Sequence, residues 1–203
     1  MSTVPKSLLT EQEYLAIERK ASYRSEFYCG EMFAMAGATR EHNLITGNVF
    51  FRLREQLDKG PCEVYSTDMR VRVKPTGLYT YPDVLVACNG PKFADDEFDV
   101  LLNPTVLVEV LSPSTASYDR GDKLMHYRRL ESLQELLLIE QECPAVDHYI
   151  RQPNGDWLIK QAEEMGSAVE LPVIGCRLAF EEIYVRIEFA PDARRPLRPS
   201  RGT

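Results

Sequence analysis

The sequence predicts an α/β fold in which a central mixed β-sheet is flanked by helices. Apolar runs such as VLVAC (84–88), VLVEVL (106–111) and ELLLI (135–139) have the composition of strands buried on both faces. Segments of helical period begin at Glu41, where Gly60-Pro61 later stops the helix, and at Asp119, after a Pro- and Ser-containing turn. With 203 residues, 44% of them hydrophobic, the chain is long enough for one well-buried core and short for two. One domain is therefore expected over residues 1–190.

Thr10 and Glu13 form an S/T-x-x-E capping box, and Tyr14, Leu15 and Ile17 give the first helix an apolar face to about Ser22. EFYCGEMFAMA (26–36) alternates around Gly30 and reads as a hairpin or strand with a glycine turn. From Glu41 the period becomes helical: Ile45, Val49, Leu53 and Leu57 form one stripe, and Gly60-Pro61 ends it. CEVY and MRVRVK are strand-like, the second with Arg70, Arg72 and Lys74 on one face. YTYPDVLVAC reads as a single buried strand, and residues 89–103 as a loop with an acidic cluster. PTVLVEVLS suits the centre of a sheet, and a helix is expected from Asp119 to Leu130. LQELLLIEQ, VDHYIRQ and DWLIKQAE supply three further strands, the last two joined at Pro153-Asn154-Gly155. A short helix around Phe180–Tyr184 closes the domain.

Charge and composition exclude several classes. No apolar run approaches the roughly 18 residues of a membrane span, and Glu11, Glu13 and Glu18 interrupt any signal-peptide core, so a cytoplasmic protein is expected. The five cysteines are odd in number and contain no CxxC pair, which reads as reduced thiols acting as small hydrophobes. A net charge of −7 argues against coating nucleic acid through a global basic field. Residues 191–203, rich in Arg and Pro, are expected to form a disordered tail.

The chemistry begins with a charge in the wrong place. Glu109 stands in the middle of VLVEVL, where an ionised carboxylate costs several kcal/mol unless it is paired or bound to metal. Asp83 stands similarly in YPDVLVA, 26 residues earlier. Two carboxylates on neighbouring buried strands are what a hard divalent cation needs, with room for water and a substrate phosphate. Lys123 follows on the next helix, placed to orient water or neutralise charge on a phosphate.

At these residues the chain resembles a family. PDVLV, VEVLSPST, DRGDKLMHYRRL and SLQELLLI, with EYLAIER and GEMFAMAGATREHNLI before them, look like the "putative restriction endonuclease" family, a bacterial branch of the PD-(D/E)XK nuclease superfamily. The resemblance covers nearly the whole chain to about Phe189. It implies a restriction-endonuclease-like core and a metal-dependent phosphodiesterase. Asp83, Glu109 and the Val110 carbonyl would hold the metal, and Lys123 would be the catalytic lysine. The superfamily's usual lysine lies two residues after the second acid, which here is Leu111, so its role passes to Lys123. His42 matches a histidine typical of the family, and Glu31 or Glu41 would be the extra acid some nucleases carry.

Plainer readings stand beside these. Asp83 after Pro82 also suits a turn, and Lys123 also suits an exposed i, i+4 pair with Asp119. Ser112, Ser114 and Thr115 lack a nucleophile elbow and read as turn and capping residues, while His126 and His148 have no metal-ligand spacing. Arg70, Arg72 and Lys74, with Arg120, are either a solvated face or a phosphate-binding wall. The reading is a metal-dependent endonuclease that hydrolyses DNA with Mg²⁺ or Mn²⁺, as a homodimer matched to a symmetric duplex. The rival is a catalytically silent nucleic-acid-binding or assembly protein that retains the fold. A basic rim around the acids favours the first, and an acidic or occluded rim the second.

Overall fold

A computed structural model describes residues 8–191 and 193–195. Its centre is a mixed six-stranded sheet ordered β11-β10-β9-β8-β6-β3. These strands are β3 (Cys62–Ser66), β6 (Val84–Cys88), β8 (Val106–Leu111), β9 (Glu135–Glu140), β10 (Val146–Arg151) and β11 (Trp157–Ala162). β8 runs antiparallel to β6 and parallel to β9, and every residue of β8 is buried. The doubly apolar sequence of β8 follows from this, because both faces of the sheet are covered.

Helix α2 (Arg40–Leu57) covers one face. Its stripe of Ile45, Val49, Leu53 and Leu57 packs on Val84, Val86, Val106, Val108, Val110, Leu137 and Ile139. The opposite face carries Leu85, Leu107, Leu111, Leu136 and Leu138, packed under Leu124 and Tyr127. Each such side chain contributes roughly 1.5–3 kcal/mol through burial. The covering helix runs through α3 (Ala116–Tyr118), a π-helical turn (Asp119–Lys123) and α4 (Leu124–Tyr127).

A second sheet, ordered β2-β1-β5-β4-β7, combines β1 (Ser25–Tyr28), β2 (Glu31–Ala34), β4 (Arg70–Val73), β5 (Leu78–Thr80) and β7 (Val100–Leu101). The β1–β2 hairpin turns at Cys29 (φ 50°) and Gly30 (φ 82°), the two positive values that a tight primed hairpin turn requires. Helix α1 (Glu11–Glu18) starts with the expected capping box, in which the Thr10 hydroxyl accepts from the Glu13 N–H.

Several expectations are corrected. YTYPDVLVAC is two strands in different sheets, with Tyr81-Pro82-Asp83 as the crossover between β5 and β6. Helix α1 ends at Glu18 rather than near Ser22, and it buries Tyr14 and Glu18 while Ile17 is exposed. The 89–103 loop contains β7. The later helix starts at Ala116 and ends at Tyr127. A hairpin of β12 (Ala168–Leu171) and β13 (Cys176–Ala179) precedes α5 (Phe180–Ile183). Cys62 and Cys88 form a disulfide between directly opposed residues of β3 and β6, so the five thiols are not all reduced. In the C-terminal segment Arg195 forms ion pairs with Asp147 and Glu163. Asp192 and residues 196–203 lie outside the described residues.

Candidate active site

The strand register explains how Asp83 and Glu109 meet. Val84 pairs with Val108, so two positions further along the same ladder Pro82 would stand opposite Val110. Proline has no N–H, and the pairing ends there. Instead the Asp83 carboxylate reaches across, and its Oδ2 accepts the Val110 N–H at 2.7 Å. In an antiparallel ladder such a residue exchanges both backbone bonds with its partner, so the Val110 carbonyl receives no donor from Pro82.

Glu109 alternates with Leu107 and Leu111 and therefore points toward the helix-covered face. It is 4% exposed. Its Oε1 lies 2.9 Å from Lys123 Nζ and accepts the Tyr127 hydroxyl at 2.5 Å. The π-helical turn carries Lys123 and Asp119 inward together, both buried, with Asp119 Oδ1 3.6 Å from the ammonium. From the second sheet, Glu26 Oε1 lies 3.4 Å from Lys123 Nζ. Glu26 is held by the hydroxyls of Thr80 and Tyr118, the latter at 3.0 Å. On the α2 side, His42 Nε2 lies 3.2 Å from Asp83 Oδ2, and the His42 N–H is capped by the Thr39 hydroxyl.

One ammonium thus serves three buried carboxylates, Glu109, Glu26 and Asp119, with Asp83 beside them. Burial pushes the Glu109 carboxyl well above the usual carboxylate range, against the pull of Lys123. Burial likewise raises Asp119. Burial alone would lower the Lys123 ammonium, but Glu109, Tyr127, Glu26 and Asp119 overrule it and hold the proton firmly. Burial lowers His42, but the hydrogen bond and charge of Asp83, together with the charge of Asp119, outweigh it, so the net direction is up.

The donor set fits a hard cation. The named contacts engage Oδ2 of Asp83 and Oε1 of Glu109, so Oδ1, Oε2 and the Val110 carbonyl are the oxygens an ion would take. Among the described residues no three His, Cys, Asp or Glu side chains already form a cage for an ion. Lys123 contacts Glu109, Glu26 and Asp119.

The structure therefore unites Asp83, Glu109, Val110, Lys123 and His42. Two further acids join them, Glu26 and Asp119, at 3.4 and 3.6 Å from Lys123 Nζ, while Glu31 stands on β2 and Glu41 pairs with Arg40. Glu26 had no distinguishing signal, since it sits in a short aromatic strand whose role depends on a distant sheet contact. Asp119 was visible only as the i, i+4 neighbour of Lys123, and the pair turns out to be buried rather than exposed. The arginines of the basic stripe, and Arg120, have acidic partners within the protein. Arg70 is 5% exposed, with Nε donating to Tyr81 and an ion pair to Asp99. Arg72 pairs with Glu11 at 2.6 Å, and Arg120 with Glu140. Lys74 is exposed.

Comparison with known proteins bears on this arrangement. The family model described as "Putative restriction endonuclease", Uma2, matches residues 11–181. An uncharacterized Synechocystis protein, sll1609, is 38% identical over 164 residues, covering 81% of this chain and 92% of its own. A second from the same organism, slr1290, is 33% identical over 187 residues, covering 92% and 97%. A crystal structure of a "putative nuclease belonging to DUF820" from Anabaena variabilis superposes with a TM-score of 0.68. It is 16% identical and covers 85% of this chain and 95% of that one, a likeness of fold.

Proposed function

The chain belongs to the Uma2 family, whose model is described as "Putative restriction endonuclease", and from that premise we propose that it is a metal-dependent endonuclease that hydrolyses DNA phosphodiester bonds. The observation that supports the reading best is the meeting of Asp83, from the crossover into β6, and the buried Glu109 of β8, which is paired with Lys123. Mg²⁺ or Mn²⁺, held by Asp83, Glu109 and the Val110 carbonyl, would supply Lewis-acid stabilisation of the phosphate and lower the pKa of water. Tyr127 fixes the Glu109 rotamer through its hydroxyl, and His42 fixes Asp83. Lys123, whose Nζ lies 2.9 Å from Glu109 Oε1, is the cation that would neutralise charge developing on the phosphate or orient the attacking water. We propose further that a single domain over residues 1–190 carries this chemistry, and that a symmetric duplex is met by a homodimer.

One observation favours the rival, a catalytically silent protein of the same fold. Glu109 and Lys123 are each 4% exposed, and Arg70, Arg72 and Arg120 are all consumed by internal partners. The test is incubation of the full chain with supercoiled DNA, single-stranded DNA and RNA, in Mg²⁺, in Mn²⁺ and in EDTA. The proposal expects cleavage of duplex DNA that EDTA abolishes. No cleavage of any substrate in either metal would transfer the assignment to the silent reading.

A further inference from the structure

Beside the acidic cluster lies a cavity of about 400 Å³, bordered by the end of α1, the residues leading into β1 and the segment after β2. Its wall includes Glu18, Tyr23, Arg24, Met35, Asp68 and Tyr81. It adjoins the cluster along the chain at two points, since Tyr81 precedes Asp83 by two residues and Arg24 precedes Glu26 by two. The volume falls within the roughly 300–1,000 Å³ range of small-ligand sites.

Three features define what would bind. Glu18 is 5% exposed, and its Oε1 accepts both the Ser25 N–H at 2.7 Å and the Tyr81 hydroxyl at 2.8 Å. Its Oε2 is buried with no hydrogen-bond partner among the described residues, an acceptor that lacks a donor. Tyr23 is 62% exposed and offers a flat aromatic face. Arg24 donates to the Thr67 carbonyl and forms an ion pair at 3.2 Å with Asp68, whose side chain is 87% exposed. A pair that open to water is weak, so its guanidinium can exchange the partner for a phosphate.

A hydrogen-bond donor, a flat ring and an anion are together the three parts of a nucleotide whose base bears an exocyclic amino group. We propose that this cavity takes one unpaired nucleotide of the nucleic-acid strand. Its base stacks on Tyr23, its amino group donates to Glu18 and its phosphate pairs with Arg24. Carboxylates read amino groups in this way elsewhere, and aromatic rings stack bases irrespective of sequence. The proposal rests on the nucleic-acid reading above and deepens it, because a base can enter a cavity only from a single strand or after leaving the duplex stack.

The test is a metal-free titration of the full ¹⁵N-labelled chain with dCMP, dAMP, dTMP and inorganic phosphate, read by amide chemical shifts. The expected result is movement of the amides of Ser22–Ser25 and Met35–Gly37 with dCMP and dAMP, and binding at least about tenfold weaker for dTMP, which has no amino group. Glu18→Gln, which keeps a carbonyl acceptor for Ser25 and Tyr81, should erase that preference. Tyr23→Ala, a surface change, should weaken all the nucleotides. Silence at these amides, equal response to dCMP and dTMP, or an equal response to phosphate alone overturns the proposal. Binding is read without metal or cleavage, so the two claims separate: an inactive protein that shows the preference keeps the cavity, and an active one that stays silent loses only the cavity.

Discussion

At the scale of residues, the account turns on how many buried acids one lysine can neutralise. Breaking a buried ion pair by removing one partner costs about 3–5 kcal/mol, because the remaining charge is left uncompensated. Lys123→Ala removes the ammonium from Glu109, Glu26 and Asp119 at once. The variant is expected to lose stability of that order in urea unfolding without metal, and added Mg²⁺ should restore part of it. A loss below about 1 kcal/mol would show that the lysine is not the charge that holds the cluster together. A second buried acid makes a pH prediction. Glu135 is fully buried 3.8 Å from His148 Nε2; burial pushes its carboxyl up to about 7 and the imidazole down to about 4. A raised carboxyl gives stability that is complete below its unfolded value, about 4.3, and is lost as pH rises through 7. His148 is depressed, so its contribution is present above its ordinary value and is lost as pH falls through 4. Glu135→Gln removes the first of these slopes and leaves the second. Relative to wild type it should therefore gain on the order of 2 kcal/mol between pH 5 and pH 8, read from urea midpoints at both pH values. A constant difference across that range would contradict a carboxyl that titrates near neutrality.

At the scale of elements, the disulfide between β3 and β6 joins residues 26 apart in sequence and ties down the strand that follows Asp83. Chain-entropy arguments give such a crosslink about 3 kcal/mol. Reduction, or a Cys62→Ser and Cys88→Ser double change, should lower stability by up to that amount, measured by unfolding with and without reductant. Stability that is indifferent to reductant would contradict the bridge. This pairing was not legible in the sequence, because spacing of cysteines says nothing about which strands become neighbours. Helix α2 was legible to within a residue or so, since its stripe every fourth residue and its Gly-Pro stop are local signals. The break at Tyr81-Pro82-Asp83 was not, because an apolar run keeps the same composition when it leaves one sheet and enters another. The same limit hid Glu26. Asp83, Glu109 and Lys123 were legible because a charge inside an apolar strand is anomalous before any partner is known, whereas Glu26 becomes anomalous only once the second sheet is laid against the first.

At the scale of the whole molecule, residues 1–190 carry −10 and residues 191–203 carry +3, so the proposed polyanionic substrate would meet a predominantly acidic body. Among the described residues no helix is long and apolar enough to cross a membrane. The proposed two-fold assembly predicts a mass in solution about twice the 23.2 kDa of one chain, measured by light scattering; a single-chain mass at assay concentration would remove the dimer from the account. The central claim is that the buried acids and Lys123 form a hydrolytic centre rather than a structural knot. The measurement that tests it most directly is cleavage of supercoiled plasmid in Mg²⁺ and Mn²⁺ by wild type, Glu109→Gln and Lys123→Ala, each first shown to be folded. The account predicts metal-dependent nicking by wild type and a fall on the order of 100-fold or more in each variant. Cleavage that persists at the wild-type rate in Glu109→Gln would place the chemistry elsewhere in the chain and contradict it.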